Sequence, residues 1–467
     1  MMNDDIWGAA RGALDRIAAD RARRETIVSI ASPEEAAAFR ALAAPGAGRA
    51  IAEVVGDAER IFAHRVRMDH PRFYGFIPSP ASPLSLVGEL LASGYNAHAG
   101  SWMQSSGPAA IEQGLIAWLA ERAGLPDSAG GLFVSGGSMA NLTGLMLARD
   151  RMLPPEERHR GVAYVSTQTH SSVAKGLRVL GFLPEQIRKV AVDAERRLDI
   201  AALGEAIATD RAAGRAPFAV VASCGTTNTG SIDDLHAIAD LAARERLWLH
   251  VDGAYGASVV LSGRHRALVD GLARADSLSW DAHKWLFQTY CCGMVLVRDR
   301  RHLLESFATS AEYLQDAAAG DETPNFWDYG VELTRPARAM KLWFTLQVMG
   351  ERAVGEAIDH GFMLAETLAE ALGERPHWRI VSPAQLGIVT FRYEPPGYDG
   401  SELDALNTAI ARRMIDDNVA APLTTRLDDA VVLRACTISP DATADDIRAM
   451  VAELDTRAQA IAAAIRA

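Results

Sequence analysis

The sequence predicts an α/β protein built on a mostly parallel sheet, followed by a smaller α+β unit. From about residue 110 to residue 300, short apolar runs alternate with stretches of helical pattern. Strands buried on both faces read as continuous apolar runs, and intervening helices allow neighbouring strands to run parallel. The runs are 132–134, 162–165, 189–192, 218–221, 247–251, 277–280 and 294–297. We therefore expect seven strands covered by helices on both faces.

Helical pattern dominates the flanks of this region. Residues 1–66 read as helix with a break at 44–48, and a proline-punctuated connector follows at 71–83. A helix-rich stretch covers 334–373, and the C-terminal part reads as β-β-α-β-α. The expected units are an N-terminal helical segment (1–70), a large domain (71–345) and a small α+β domain (346–467).

Composition and charge exclude several classes of function. The 47 Lys+Arg and 59 Asp+Glu residues give a net charge of −12, and no basic run offers a surface for nucleic acid. No apolar stretch approaches the roughly 18 residues of a membrane span, and the N-terminus lacks a signal-peptide pattern. Four scattered cysteines without C-x-x-C suit neither a disulfide framework nor zinc. We expect a cytoplasmic protein with reduced thiols and no bound metal.

Four motifs follow predicted strands at the edge of the sheet where ligands bind. In Ser135–Asn141 (SGGSMAN), the glycines let the backbone approach an anion, and a helix N-terminus offers N–H groups. A plain glycine turn with Ser138 as the helix N-cap explains this motif equally well on its own. In THSS at 169–172, His170 is placed to stack on a flat ring while a serine caps the helix. A lone histidine is more often a core residue.

The other two motifs carry a carboxylate and an amine. Asp252, in HVDGAYG, ends an apolar strand and can keep a heterocyclic nitrogen protonated, or else cap the next turn. Lys284, in DAHKWL, has apolar and aromatic neighbours that we expect to lower its pKa and free the amine for Schiff-base formation. An anion nest, a stacking imidazole, a carboxylate and a reactive lysine are together what pyridoxal 5′-phosphate requires.

The order of these motifs resembles the group II pyridoxal-phosphate-dependent amino-acid decarboxylases. GTTNTGSIDD at 225–234 belongs to the same pattern, and the similarity extends from RFYGFIPSPAS at 72–82 to VVLRACTIS at 431–439. This family includes aromatic-L-amino-acid, 2,4-diaminobutyrate and glutamate decarboxylases. The resemblance implies the type I pyridoxal-phosphate transferase fold of aspartate aminotransferase. It also implies a homodimer with active sites at the subunit boundary.

The resemblance assigns roles to individual residues. Lys284 matches the lysine that binds the cofactor aldehyde, Asp252 the partner of the pyridine nitrogen, and His170 the ring-stacking histidine. Positions around the phosphate are Gly137, Ser138, Ser171 and His283, and positions near the ring are Thr227 and Asp233. Asp281 departs from the members that carry Asn there, and the role of an acid beside the phosphate stays open.

A polar stretch at 308–330 is of the kind used for lids. Within it, Tyr313 matches the family's mobile-loop tyrosine, which donates a proton to the substrate Cα. Relatives with another residue there tend toward oxidative aldehyde formation, so Tyr313 favours simple decarboxylation. The alternative is a tyrosine that only anchors a surface loop.

The substrate side chain is less clearly indicated. The resemblance places Phe76 and Pro78 along the side-chain pocket, with Thr334 beside it. His98 and Gly100 lie on the stretch contributed by the neighbouring subunit, where the aromatic decarboxylases have apolar and aromatic residues. An acidic or diamino substrate therefore stays open beside the aromatic amino acid that we favour.

Arg434 is the last candidate site residue, and it has two interpretations. It either approaches the substrate carboxylate or forms a salt bridge between the two domains.

Two rival functions differ in class from an amino-acid decarboxylase. An aldehyde synthase or aminotransferase would use the same cofactor for another reaction, and a non-enzymatic scaffold would use none. The presence of Lys284, Asp252 and His170 argues against the scaffold. A nucleotide-binding dehydrogenase is disfavoured because the chain lacks GxGxxG.

Overall fold

The computed structural model describes residues 2–44, 46–308 and 323–466. The helices are α1 (Met2–Arg23), α2 (Pro33–Leu42), α3 (Ile51–Ala63), α4 (Pro83–Gly94), α5 (Trp102–Arg122), α6 (Gly137–Met152), α7 (Ser171–Val179), α8 (Ile200–Ala212), α9 (Leu235–Glu245), α10 (Arg301–Phe307), α11 (Ala339–Gly373), α12 (Gly400–Asp416) and α13 (Ala444–Arg466). The strands are β1 (Gly130–Val134), β2 (Gly161–Ser166), β3 (Ile187–Val190), β4 (Ala216–Ser223), β5 (Trp248–Asp252), β6 (Ser277–Asp281), β7 (Gly293–Val297), β8 (Trp378–Gln385), β9 (Ile388–Tyr393), β10 (Leu423–Leu427) and β11 (Ala430–Cys436). Across these described residues, no helix combines the length and apolarity that a bilayer-spanning segment needs.

The first seven strands form one sheet in the order β1-β7-β6-β5-β4-β2-β3. All of them run parallel to one another except β7, which is antiparallel to both of its neighbours. Alternate residues of a strand enter different cores: Val221 packs on the side of α6, whereas Val220 and Ala222 pack on the side of α5, α8 and α9. Burial on both faces explains the continuous apolar runs, so the predicted α/β class is confirmed.

The second sheet has the order β10-β11-β9-β8, and its strands are antiparallel. Helices α11, α12 and α13 cover it. The sequence pattern missed β10, because this edge strand has mostly exposed or half-buried side chains and no apolar run. A two-residue turn joins β10 to β11, and its residues Asp428 and Asp429 both have positive φ (49° and 61°), as tight hairpins require.

The N-terminal region has more breaks than the sequence predicts. Residues 24–32 are not helical and include a bridge between Val28 and Val66. Helix α2 begins only after this segment, where Ser32 and Glu35 form a reciprocal capping box. The proposed domain boundary at 345 stays a prediction. It falls inside α11, which bends five residues later at Gly350, where φ is +78°.

A buried ion pair forms hydrogen bonds with main-chain groups of β1, one of the two edge strands of the large sheet. Glu112 of α5 accepts a hydrogen bond from the Phe133 N–H at 2.8 Å, and Arg335 donates to the Phe133 carbonyl at 2.6 Å. The two side chains pair at 2.6 Å and have no solvent exposure. Arg335 also donates to the Ala99 carbonyl at 2.9 Å, so one charge pair joins α5, β1 and the segment that leads into α11.

Replacing Glu112 with Ala would leave the Arg335 guanidinium buried without its counter-charge. We expect a loss of about 3–5 kcal/mol in the free energy of unfolding, because the guanidinium would stay desolvated without the attraction of the Glu112 carboxylate. Urea denaturation measures this difference. Glu356 offers a matched control, since its pair with Arg352 is exposed and its removal should change stability by less than about 1 kcal/mol. Equal losses in the two variants would contradict the structural role of the buried pair.

Candidate active site

A cavity of about 490 Å³ lies at the carboxyl ends of the parallel strands. It is lined by residues that follow β1 and β2 in the chain and by residues that end β4, β5 and β6. Among the predicted site residues, it brings together Phe76, Gly137, Ser138, His170, Thr227, Asp252, Asp281, His283 and Lys284. The four motifs therefore form one site.

The glycine motif turns directly from β1 into α6. The helix begins at Gly137, and its N-cap residue Gly136 provides no side-chain cap, so the alternative with Ser138 as N-cap is wrong. A Cβ on Gly137 would lie 2.9 Å from Asp281 Oδ2, and one on Gly136 would lie 2.9 Å from His283 Cε1. Only glycine permits this close approach. The N–H groups of an uncapped first turn are suited to bind a phosphate.

Asp252 ends β5 with its carboxylate in the cavity wall. Its Oδ2 accepts a hydrogen bond from Asn141 Nδ2 at 3.0 Å. Its Oδ1 accepts from Ser279 Oγ and from the Ala254 N–H, both at 3.2 Å. The last bond is the turn cap that we considered as an alternative, so one carboxylate caps the turn and lines the cavity.

His170 itself caps helix α7, where the sequence suggested a serine. Its Nδ1 accepts from the Ser172 N–H at 3.3 Å and lies 2.8 Å from Ser172 Oγ. Burial lowers the pKa of His170, because desolvation disfavours the charged imidazolium. Ser172 lines the cavity, whereas Ser171 is exposed and lies outside the cavity lining.

Lys284 faces two carboxylates. Its Nζ lies 3.0 Å from Asp281 Oδ2, at the end of β6. Burial favours the neutral amine, but the charges of Asp281 and Asp252 outweigh it and raise the pKa of Lys284. Our expectation of a lowered pKa for Lys284 was wrong, because the apolar neighbours in the sequence did not show that these two carboxylates face the amine.

Asp281 lies beneath the glycine motif and is almost fully buried. While one of its oxygens pairs with Lys284, Oδ1 has no hydrogen-bond partner within the described part of the chain. The neighbouring His283 has its Nε2 3.6 Å from Oδ2, and burial lowers the pKa of this histidine. The position expected beside a phosphate is thus held by an acid that also contacts the reactive lysine.

Several predicted residues lie outside the cavity lining, and Tyr313 lies outside the described residues. Asp233 is buried elsewhere, where it accepts from the Leu198 and Ser223 N–H groups, both at 2.7 Å. Pro78 is buried behind the cavity wall. Thr334 is exposed, and His98 lies in the adjacent segment, bridged to Pro336.

Arg434 lies behind the cavity wall and is 4% exposed. Its Nε donates to the Thr227 carbonyl at 2.7 Å, and its Nη1 donates to the Phe76 carbonyl. Main-chain carbonyls thus take the place of the salt bridge that we considered. Burial lowers the pKa of this guanidinium.

The sequence interpretation missed several lining residues. Asn141 stood inside the glycine motif without a role, yet it contacts Asp252 and Ser172. Tyr290 contributes an aromatic ring 4.9 Å from that of His283. Tyr255 stacks on Trp285 and accepts from the Gly387 N–H at 2.8 Å, which joins the cavity to the second sheet. Of these residues, only Asn141 could have been identified from the sequence, because it lies in the glycine motif at 135–141.

Replacing Asp281 with Asn would remove the nearest carboxylate from Lys284 at almost unchanged size. Because that carboxylate raises the pKa of Lys284, the amine of the variant should lose its proton at lower pH. Pyridoxal phosphate, which the motifs indicate, reacts with the neutral amine. Stopped-flow absorbance over a range of pH measures the pH at which capture reaches half its maximal rate, and this midpoint should fall. An unchanged midpoint, equal to that of the exposed control Asp270→Asn, would contradict the expectation.

The residues around the cavity fit pyridoxal phosphate. The uncapped helix start suits the phosphate, the buried carboxylate suits the ring nitrogen, and the lysine suits the aldehyde. One feature is unusual for a site that binds a phosphate. The carboxylate of Asp281 is buried there, and its Oδ1 has no hydrogen-bond partner within the described residues.

Comparison with known proteins agrees with this geometry. Residues 33–394 match the family model of the pyridoxal-dependent decarboxylase conserved domain. The chain is 41% identical over 403 residues to an aromatic-L-amino-acid decarboxylase of Bacillus atrophaeus, covering 86% of this chain and 84% of the relative. It is 35% identical over 407 residues to an L-2,4-diaminobutyrate decarboxylase of Rhizobium meliloti strain 1021, covering 86% and 81%.

Among solved structures, the crystal structure of Oryza sativa TDC with PLP and tryptamine superposes with a TM-score of 0.91. The sequence identity is 28%, and the alignment covers 98% of this chain and 99% of the other. The predicted type I fold is therefore confirmed. The chain belongs to the pyridoxal-dependent decarboxylases, enzymes whose cofactor is pyridoxal 5′-phosphate.

Proposed function

We propose that this enzyme converts an aromatic L-amino acid into the corresponding amine and carbon dioxide. The observation that carries the proposal is the joint lining of one cavity by Lys284, Asp252 and His170, with an aromatic and apolar outer wall. Phe76 and Tyr290 form part of that wall and are 56% and 52% exposed. The 41% identity to an aromatic-L-amino-acid decarboxylase supports the same substrate class.

Each end of the cofactor has a matching group. The N–H groups at Gly137 and Ser138 would hold the phosphate, Asp252 the ring nitrogen and Lys284 the aldehyde carbon. His170 would lie against the ring. The bonds from Asn141 and Ser279 to Asp252 keep this carboxylate oriented, so it can meet a protonated nitrogen without rearrangement.

The side chains divide the chemistry among them. Bound pyridoxal phosphate supplies an electron sink for the pair released when the Cα–carboxylate bond breaks. Asp252 would keep the ring nitrogen protonated, which makes this sink effective. His170 would help to orient the substrate carboxylate out of the ring plane. We propose Tyr313 as the proton donor to Cα and keep this role as a prediction.

Arg434 supports the pocket from behind the cavity wall. Its bonds to the Thr227 and Phe76 carbonyls connect two segments of the cavity wall. Its third nitrogen, Nη2, is buried and has no hydrogen-bond partner in the described chain. Because Arg434 does not line the cavity, we propose that it shapes the pocket, and its contact with the substrate carboxylate stays a prediction.

We also propose that the enzyme is a homodimer with shared active sites. Helices α2 and α3 bury no residue in one chain, although α3 carries Val54 and Phe62. Val331 and Leu333 are exposed beside the segment of His98 and Thr334. A second copy would cover these apolar side chains, and His98 and Thr334 of one subunit would then lie at the cavity of the other.

Four free thiols, three of them buried, support our proposal of a cytoplasmic location.

The enzyme loaded with pyridoxal phosphate should show a visible absorbance band that borohydride removes. With a panel of amino acids, we expect carbon dioxide release to be fastest with tryptophan, tyrosine or phenylalanine. The band and the activity should disappear in Lys284→Ala and persist in Lys175→Ala, because Lys175 is exposed on α7.

The same panel tests the second candidate substrate class, for which the 35% identity to a diaminobutyrate decarboxylase is the supporting observation. Faster release from 2,4-diaminobutyrate or glutamate would overturn the aromatic proposal. Oxygen uptake matching carbon dioxide release would identify an aldehyde synthase instead.

Introducing a charge into the proposed subunit interface should separate the dimer. For Val331→Glu, we expect sedimentation velocity to show monomers, because the apolar contact would then bury a carboxylate. Ile465→Glu places the same charge on an exposed apolar position of α13 and should leave the dimer intact. A monomeric wild-type enzyme with full activity would contradict the shared site.

A further inference from the structure

We propose that Asn141 is a positioning residue that sets the tautomer of His170, so that His170 presents an Nε2–H group to the cavity. This inference rests on the roles proposed above for Asp252 and His170. It follows from a chain of hydrogen bonds, buried around Asn141 and partly buried at His170, in which the direction of each bond determines the next.

The chain of bonds has a defined starting point at Asp252. An ionised carboxylate only accepts hydrogen bonds, so the atom of Asn141 that lies 3.0 Å from Asp252 Oδ2 must be the amide nitrogen. This contact excludes the flipped amide, which would place two oxygens against each other. Both amide hydrogens and the amide oxygen of Asn141 therefore have defined directions.

The second amide hydrogen of Asn141 is donated to Ser172, which in turn contacts His170. Asn141 Nδ2 donates to Ser172 Oγ at 2.9 Å, which leaves the Ser172 hydroxyl hydrogen for another acceptor. His170 Nδ1 lies 2.8 Å from Ser172 Oγ and also accepts from the Ser172 N–H. Nδ1 is therefore an acceptor, and a neutral imidazole then carries its hydrogen on Nε2.

The amide oxygen of Asn141 points in the opposite direction and gives a consistent pattern. His250 Nε2 lies 2.8 Å from Asn141 Oδ1 and must donate, so His250 Nδ1 accepts from Ser277 Oγ at 2.8 Å. Ser277 in turn accepts from Trp248 Nε1 at 2.8 Å. Burial lowers the pKa of His250 to about 4, in agreement with a neutral ring in this pattern.

Asn141 thus connects the carboxylate and the histidine of the proposed site through one side chain. It is 1% exposed and cannot exchange these bonds for water. The charged groups that act on His170 are Asp252, Lys284 and Asp281, and none of them bonds to its Nδ1. The proton position on the ring is therefore set by Ser172 and, through it, by Asn141.

The test uses Asn141→Asp, which keeps the shape but replaces the donor with an acceptor. In the enzyme loaded with pyridoxal phosphate and labelled with ¹⁵N-histidine, NMR distinguishes the two neutral tautomers, and His170→Gln identifies the signal. We expect the Nε2–H pattern in the wild type and its loss in Asn141→Asp. We also expect kcat to fall about 100-fold, because His170 orients the substrate and a misplaced orienting group costs a factor of this order.

Ser172→Ala provides a second variant in case Asn141→Asp does not fold. It removes the hydroxyl donor to His170 Nδ1, so that only the longer bond from the Ser172 N–H at 3.3 Å remains, and it keeps the Asn141 contact with Asp252. We therefore expect a partial loss of the Nε2–H pattern. The matched control is Asn407→Asp, since Asn407 is equally buried and bonds to Tyr393 and Leu403 in the second sheet. This control should keep the His170 signal and kcat.

An unchanged Nε2–H pattern in both Asn141→Asp and Ser172→Ala would overturn the inference. A failure of the proposed function would be distinct, because the wild-type enzyme would then release no carbon dioxide from the aromatic amino acids. The NMR pattern does not depend on turnover, so it decides the role of Asn141 in either case.

Discussion

The buried carboxylate of Asp252 is the constraint on which the site depends. An ionised carboxylate at the end of a central strand is stable only if donors surround it, and Asn141, Ser279 and the Ala254 N–H supply them. These donors come from α6, β6 and the turn after β5. Holding one charge therefore fixes the relative position of three elements around the cavity. The proposed tautomer of His170 follows from the same requirement.

A second carboxylate gives the site its charge balance. Asp281 pairs with Lys284 at 3.0 Å and lies beneath the glycine turn that is suited to a phosphate. Together with Asp252, it raises the pKa of Lys284. These two carboxylates therefore favour the protonated amine of Lys284, whereas an aldehyde would react with the neutral amine. The acid at this position links the phosphate end of the site to the reactivity of the lysine.

The sheet explains why distant motifs meet. Because the strands other than β7 run parallel, the residues that follow β1 and β2 and that end β5 and β6 share one edge. The second sheet reaches this edge through Arg434 and Tyr255, which bond to main-chain groups across the boundary. The Glu112–Arg335 pair closes the outer edge at β1 and holds the segment that carries Thr334.

The sequence by itself determined the fold class, the seven strands of the large sheet and most of the cavity motifs, because apolar runs and glycine turns are local patterns. It did not reveal β10, whose residues alternate between exposed and half-buried. Only the tertiary structure decided the pKa of Lys284, the bonds of Arg434 and the network of Asn141. These depend on groups far apart in the chain: Asn141 meets Asp252 across 111 residues, and Arg434 meets Thr227 across 207. A local sequence pattern cannot predict contacts between residues so far apart, so the charge pairs and the directions of these hydrogen bonds are defined only in the folded chain.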